Sequence, residues 1–198
     1  MKTIEVLCDE LTTGATNALF EKNENNVEGA LHLLTGSSVN LNGEIIEQQL
    51  SQVTIKEGKN IQRFLLQQGD VVLLAKGNSI RAGYVTAHIA KQKVIASANF
   101  ILLRPNKNEV LGEVLVSYFN SPAGQSLLDA TSTGAIIKNI NLSNIKKLAI
   151  NIPELSKQQE IAELFHASNQ AYQSTINLAE QQKKVAIACI SQLMKGAA

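Results

Sequence analysis

The chain has 198 residues, of which 44% are hydrophobic and 18% are charged, and its formal net charge is +1. This composition is that of an ordinary soluble protein with enough length for one domain core. No segment resembles a signal peptide, and no apolar run approaches the roughly 18 residues of a membrane span, so we expect a cytoplasmic protein without membrane contact.

Short apolar runs separated by turn signals fill the first 152 residues. Turns are predicted at Asn42-Gly43 and Gly69-Asp70. Helical periodicity begins after Pro105, with one helix over 110–119 and a second that starts at Pro122. Strands are predicted at 30–34, 44–46, 71–75, 84–86, 99–103 and 148–152. These elements predict a mixed α/β (α+β) globular domain with a mixed sheet over residues 1–152.

Residues 153–198 predict one very long helix. Pro153 precedes it, Ser156 with Gln159 forms a potential capping box, and neither proline nor glycine follows until Gly196. About 39 residues at ~1.5 Å per residue give roughly 58 Å, which is longer than a small domain is wide. We therefore expect this helix to leave the domain and to find a partner.

An a/d heptad pattern with polar interruptions runs along this helix. Ile176, Ala179, Ala186, Ile190 and Leu193 widen the apolar stripe beside it. The helix could instead lie on its own domain, but its length favours a two-helix assembly. Within the pattern, Ser168, Thr175 and Gln182 would fix the register. The predicted dimer interface consists of Ile161, Leu164, Ala171, Thr175, Leu178, Gln182, Val185 and Cys189.

Charge is unevenly distributed along the chain. Residues 1–55 carry two cations against eight carboxylates, whereas residues 56–104 carry eight cations against two carboxylates. A basic segment in a nearly neutral protein indicates one surface for an anionic partner, and nucleic acid is the commonest such partner. A solvated basic face without a partner is the alternative interpretation.

No motif of a catalytic or metal site is evident. The chain lacks a P-loop, a His-Glu-x-x-His pair and a Gly-x-Ser-x-Gly elbow, and its two cysteines suggest neither a disulfide nor a metal site. Its three prolines are never adjacent, which excludes the Asn-Pro-Pro-aromatic motif of amino-methyltransferases. We interpret His32 in a strand, His88 in a basic loop and His166 on the long helix as structural. Cys8 beside Asp9 lacks a placed base, so it is interpreted as a small buried side chain.

Five motifs nevertheless occur in an order that resembles the specificity subunit of type I restriction–modification systems. They are QQGDVVLL (67–74), NFILLRP (99–105), LVSYF (115–119), INL (140–142) with LAINIP (148–153), and QQEI (158–161). The resemblance implies a target recognition domain that reads DNA, followed by a helical spacer. Typical members carry two domains and two antiparallel spacers and read a bipartite site, whereas this chain has one of each and resembles a half-length form.

The resemblance also implies partners and the absence of a cofactor in this chain. Such a subunit is not an enzyme; it docks a DNA adenine methyltransferase, which holds S-adenosylmethionine, and a translocating nuclease subunit can belong to the same system. The tryptophan often found near the start of the domain is missing, and residues 6–14 match the family loosely. The alternative is a coiled-coil adaptor whose globular head binds another protein.

The residues that contact DNA are predicted from their chemistry. The segment 76–81 combines two cations, an amide and a hydroxyl around a glycine, and arginine and asparagine can read guanine and adenine. Arg104 is the weakest candidate for a DNA contact, because an arginine at a strand end before proline is often a structural ion-pair partner. Base readers are predicted at Lys76, Asn78, Ser79 and Arg81, phosphate contacts at Lys56, Lys59, Arg63, Lys91 and Lys93, and a second loop at Lys138 and Asn139.

The resemblance to a family that works with two recognition domains, together with one domain and one unpaired seam in this chain, implies an antiparallel homodimer about a two-fold axis. The two helices would cross near Thr175 and Ile176. Two identical domains would then read the same half-site on opposite strands, so the DNA target is predicted to be an interrupted palindrome.

Overall fold

The structure is a computed structural model that describes residues 1–22, 31–134 and 138–196. The chain forms two compact units, Met1–Ala162, here called the head, and Glu163–Ala198, here called the arm. The predicted mixed α/β fold with a long C-terminal helix is confirmed. The domain boundary predicted at residue 153 lies beside the start of this helix, whose first two turns belong to the head.

All strands in the described residues belong to the head and are short. They are β1 (Lys2–Thr3), β2 (Cys8–Thr13), β3 (Phe20–Lys22), β4 (Leu31–Leu34), β5 (Ser51–Ile55), β6 (Val71–Leu74), β7 (Lys76–Gly77), β8 (Arg81–Tyr84), β9 (Val94–Ala96), β10 (Phe100–Pro105), β11 (Lys138–Asn139) and β12 (Ala149–Ile150).

Most helices in the described residues are also short. They are α1 (Ile4–Leu7), α2 (Ala87–Lys91), α3 (Gly112–Asn120), α4 (Pro122–Thr131), α5 (Leu142–Lys147) and the 42-residue α6 (Leu155–Gly196). Single 3-10 turns occur at Asn17–Leu19, Gly36–Ser38, Glu47–Gln49 and Gln62–Phe64.

The first of two four-stranded sheets has the order β2-β10-β6-β8, with every neighbouring pair antiparallel. All four residues of β6 are apolar and buried, because β10 and β8 flank it and both of its faces are covered. This explains why the strand is a continuous apolar run rather than an alternating one.

The second four-stranded sheet has the order β3-β5-β4-β9, in which β4 and β9 are parallel. Side chains alternate across β9: Val94 and Ala96 join a core cluster with Phe100 of the first sheet, while Ile95 joins a separate cluster with Phe20. The second sheet therefore has apolar packing on both faces, which links it to the first sheet and to the loops outside.

Two-stranded pairs complete the head. Strand β1 pairs with β12, so the beginning of the chain lies beside the segment that leads into α6. Strand β7 pairs with β11, which joins two segments that the sequence analysis treated as separate DNA-binding loops.

Several predicted elements are confirmed. The strands predicted at 30–34, 71–75, 99–103 and 148–152 correspond to β4, β6, β10 and β12, and the predicted turn residues end the turns at 40–43 and 67–70. The helix predicted at 110–119 is α3, and Pro122 does begin α4, where Ser121 accepts a hydrogen bond from the Gly124 N–H at 3.1 Å.

Other predictions are wrong. Residues 44–46 form no strand, because only Ile45 bridges to Val39 across the Asn42-Gly43 turn. The strand predicted at 84–86 lies at Arg81–Tyr84, since the pairing with β6 places Arg81 opposite Leu74. His88 lies in helix α2 and not in a loop.

The predicted start of the long helix also needs correction. Helix α6 begins at Leu155, so Ser156 lies inside the first turn and not at the capping position. The strand β2 was missed because its sequence is mostly polar; it lies at the edge of the first sheet, where one side of the strand stays open.

Candidate nucleic-acid interface

The two predicted loops at 76–81 and 138–139 come together in the structure. In the β7–β11 pair, Lys138 lies opposite Gly77 and Asn139 lies opposite Lys76. Lys76 and Asn78 are exposed. Two polar segments far apart in sequence thus form one surface.

Neighbouring strand ends extend this surface. The backbone carbonyl of Asn99 accepts hydrogen bonds from the N–H groups of Ala75 and Lys76 at 2.9 and 3.2 Å. Strand β10 begins at the next residue, and its Ile101 lies opposite Thr13. We call the resulting surface the polar rim and define it as Thr13, Lys76, Asn78, Asn99 and Asn139. Sequence reasoning missed Thr13 and Asn99, because nothing local in the sequence shows which strand ends are neighbours.

Close backbone packing holds the rim together. A Cβ atom on Gly14 would lie 2.1 Å from the carbonyl oxygen of Ser97, so only glycine fits at this position. The Gly14 N–H donates to the carbonyl of Phe100 at 2.9 Å. The β2 end of the rim is therefore packed closely against the turn before β10.

Arg81 does not point a free guanidinium at this surface. Its Nε donates to the Val39 carbonyl at 2.7 Å, and its two terminal nitrogens donate to the Ser79 hydroxyl and the Gly36 carbonyl. Burial lowers the pKa of Arg81. The base-reading role predicted for Arg81 disagrees with these contacts, and we assign both Arg81 and Ser79 to holding the segment in place.

A second group of predicted cations lies elsewhere on the head. Lys59 and Lys93 line the same hollow of about 640 Å³, together with the amides of Asn60 and Gln62. The floor is apolar and includes Leu31, Ile55, Ile61 and Leu65. We call this the basic hollow. Because Lys93 directly precedes β9 and the rim residue Asn99 follows that strand, the basic hollow and the polar rim lie at opposite ends of β9.

The remaining predicted cations have distinct settings. Lys56 follows β5 and is exposed, and Lys91 is exposed in the last turn of α2. The Arg63 guanidinium lies over the ring of Phe64, 4.5 Å from its centroid. Lys138 forms an ion pair with Asp129.

Six predicted contacts are cations that stay available to an anionic ligand. In the described part of the chain, none of them has a carboxylate within ion-pair distance, whereas Lys2, Lys146 and Arg104 each do. The six are Lys56, Lys59, Arg63, Lys76, Lys91 and Lys93. The interpretation of Arg104 as an ion-pair partner is confirmed, since it contacts Asp70 and Glu10.

The cysteine and the histidines that were considered for catalysis have structural settings. Burial raises the pKa of Cys8 to about 12, with Asp9 and Asp70 adding to the shift, so its thiol stays protonated at neutral pH. The Nδ1 atom of His32 lies 3.0 Å from the Gln92 carbonyl, and His88 pairs with Glu47 at the surface. Within residues 1–22, 31–134 and 138–196, no group of three or more metal-ligating side chains is found.

The predicted seam of α6 lies open along the arm. Residues 171–196 are all exposed. Leu164, Leu178 and Val185 have 70%, 56% and 62% of their surface exposed, and Ile190 has 57%. Apolar side chains this exposed at heptad spacing are typical of a helix that packs against another chain. No helix of the described residues is long and apolar enough to cross a membrane.

A family model for type I restriction modification DNA specificity domains matches residues 6–187 of the chain. The chain belongs to this family. The match includes the head and most of α6, so both units of the chain and their order are features of the specificity domain family.

Solved structures with the same fold are subunits of type I systems. The S subunit from M. genitalium is 18% identical with a TM-score of 0.52, over 90% of this chain and 40% of that chain. The HsdS subunit from Thermoanaerobacter tengcongensis is 15% identical with a TM-score of 0.56, over 92% and 45%. A structure that addresses complex assembly and conformational transition of the type I R-M system is 19% identical with a TM-score of 0.58, over 92% and 45%.

This specificity domain chain therefore spans less than half of the length of the solved proteins that it resembles. The comparison with curated proteins finds no match.

Proposed function

We propose that this chain is a non-catalytic, sequence-specific DNA-binding specificity subunit. Its head binds double-stranded DNA, and two copies pair through α6 to read a bipartite target. The pair directs a partner adenine methyltransferase, which holds S-adenosylmethionine, and a translocating nuclease subunit can join the same cytoplasmic complex. The observation that carries the proposal is the family match over residues 6–187, because it includes both the recognition unit and the helical unit.

The polar rim supports a base-reading role. Asn78 and Asn139 provide amides that can make two hydrogen bonds to adenine, and Lys76 can donate to guanine. Lys76 and Asn139 lie opposite each other in the β7–β11 pair and Asn78 directly follows β7, and a two-stranded ribbon is narrow enough to enter the major groove. Lys138 contributes to the same ribbon, with Asp129 beside it.

The unpaired cations support phosphate contacts. Lys59 and Lys93 share one hollow, and Lys56, Arg63 and Lys91 are exposed. Lysine and arginine contacts to phosphates position a protein on the duplex without reading its sequence. The rim would then discriminate among sequences while the basic hollow supplies affinity.

The experiment compares the chain alone with the chain plus its methyltransferase. The lone chain should transfer no methyl group and hydrolyse no ATP, and the mixture should methylate adenine at defined sites. Duplex binding should weaken steeply as salt increases, because counterions are released from the phosphates. Robust activity of the lone chain would overturn the subunit proposal, and indifference to DNA at low salt would favour a protein-binding adaptor.

A further inference from the structure

Gln158 is the buried residue of α6, with 1% of its surface exposed. Its neighbours Lys157 and Gln159 are both exposed. Glutamine is seldom buried without hydrogen-bond partners, so the contacts of this amide show what it does in the head.

The amide of Gln158 joins two segments of the head to the second turn of the helix. Its Oε1 atom accepts from the Leu111 N–H at 2.9 Å. Its Nε2 atom donates to the carbonyl oxygens of Glu109 and Pro153, at 3.1 and 2.9 Å. One side chain thus satisfies three backbone groups.

The segment 109–111, which Gln158 contacts through hydrogen bonds, is itself held in place within the head. Glu109 forms an ion pair with Lys2, and Val110 is fully buried. The Asn106 N–H donates to the Leu7 carbonyl at 2.9 Å, and Leu111 occupies the position before α3. Gln158 therefore attaches the base of α6 to a rigid part of the head.

We propose that Gln158 is a positioning residue that fixes the direction in which α6 leaves the head, and so limits the half-site separation that a dimer accepts. Apolar contacts are non-directional and allow a helix to rotate, whereas hydrogen bonds demand a defined distance and angle. The part of α6 that lies beyond the head has about 34 residues, which at ~1.5 Å per residue span roughly 51 Å. If the direction of α6 changes by about 10° at its base, its far end moves by about 9 Å. This displacement exceeds two base-pair steps of ~3.4 Å along DNA.

The first test measures the direction of the helix without DNA. In a background with Cys8→Ala and Cys189→Ala, spin labels are attached to Ala123→Cys and to Glu180→Cys, which is exposed and lies outside the predicted seam, and labelled chains are diluted into unlabelled ones. The distance distribution should be narrow for the unchanged Gln158 and for the matched control Gln159→Met. It should widen at least twofold for Gln158→Met.

A second variant removes the same hydrogen bond from the head side. Leu111→Pro deletes the N–H that donates to Gln158, at a residue whose φ of −82° is close to that of proline. It should widen the distribution as Gln158→Met does, with all chains compared well below their melting temperatures. Equally narrow distributions for Gln158→Met and Gln159→Met would overturn the proposal.

The functional test rests on the proposed function and separates the two hypotheses. Mapping of methylated sites with the partner methyltransferase should show one half-site separation for the unchanged chain and for Gln159→Met. Gln158→Met should also methylate sites whose separations are one base pair longer or shorter. A chain that binds no DNA would overturn the proposed function alone, because the distances between the labels do not depend on it.

Discussion

At the scale of single residues, Asp70 joins three parts of the head. It has 1% of its surface exposed, and its two carboxylate oxygens accept from Arg104 Nε and Nη2 at 2.9 Å each. The Gln67 N–H donates to the same carboxylate at 2.8 Å, which closes the turn before β6. The carboxylate therefore connects β6, β10 and the turn between 67 and 70.

Substitution of Asp70 should destabilise the head strongly. Asp70→Asn leaves Arg104 without its buried charge partner, and breaking such a pair costs on the order of 3 kcal/mol. The exposed neighbour offers a matched control, since Asp9→Asn should change the unfolding free energy by no more than about 0.5 kcal/mol. Urea denaturation measures both, and equal losses for the two variants would contradict the role of the buried pair.

The two cysteines should differ in reactivity. Burial raises the pKa of Cys8 to about 12, so about one thiol in ten thousand is ionised at pH 8, whereas Cys189 is exposed on the arm. In a chain made monomeric by Leu178→Asp, iodoacetamide followed by mass spectrometry should modify Cys189 first. Because the folded state keeps the Cys8 proton, stability should decrease as the pH rises above about 9, where the unfolded thiol ionises. Faster modification of Cys8 than of Cys189 would refute the assignment.

At the scale of elements, the polar rim and the basic hollow should respond differently to mutation. Asn78→Ala should cost about 1–3 kcal/mol of binding free energy at one base pair and relax the preference there. Lys93→Ala should weaken binding to all sequences alike and reduce the salt slope by about one. Binding titrations at several salt concentrations distinguish the two.

Arg81→Ala is the control for this comparison. Because its guanidinium holds the Val39 and Gly36 carbonyls, its loss should lower the melting temperature of the head. Unchanged stability combined with a lost base preference would instead restore Arg81 to a reading role. Identical binding profiles for Asn78→Ala and Lys93→Ala would contradict the proposal that the polar rim reads bases while the basic hollow contacts phosphates.

Substitutions in the seam of the arm should prevent dimer assembly without changing the stability of the head. Leu178→Asp places a charge in the proposed seam near the crossing point, so the chain should become monomeric and lose specific binding while the head keeps its melting temperature. Asn177→Asp adds the same charge on the adjacent, non-seam face and should leave the dimer intact. Sedimentation equilibrium distinguishes them, and a dimeric Leu178→Asp chain would show that the seam lies elsewhere.

At the scale of the whole molecule, the proposed homodimer, with two identical heads, implies a symmetric target. In an antiparallel dimer, Leu164 of one copy would lie nearer Val185 or Cys189 of the other than its own counterpart, as a two-fold axis requires. Mapping of methylated sites should then give an interrupted palindrome. A clearly asymmetric target, or a monomer in the presence of the methyltransferase, would rule out the homodimer.

Sequence patterns predicted those elements whose signals lie entirely within neighbouring residues. The apolar run of β6, Pro122 at the start of α4 and the length of α6 could all be predicted from neighbouring residues. Polar edge strands such as β2 were missed, because their partners and not their own sequences make them strands.

The candidate site was predicted only in part for the same reason. The composition of 76–81 and 138–139 identified two polar segments, but only the sheet topology shows that they pair and that Asn99 and Thr13 lie beside them. The contacts of Arg81 could not be predicted, because its partners, Val39 and Gly36, are more than 40 residues away in sequence.

The pairing of β1 with β12 determines the order of events during synthesis. Lys2 lies opposite Ile150, so the head cannot close until Ile150 has left the ribosome, and a contact this distant in sequence forms slowly. Helix α6 begins only five residues after Ile150, which means that the arm is translated after the head. The heads of nascent chains would therefore already be folding when the exposed apolar seams of their arms emerge.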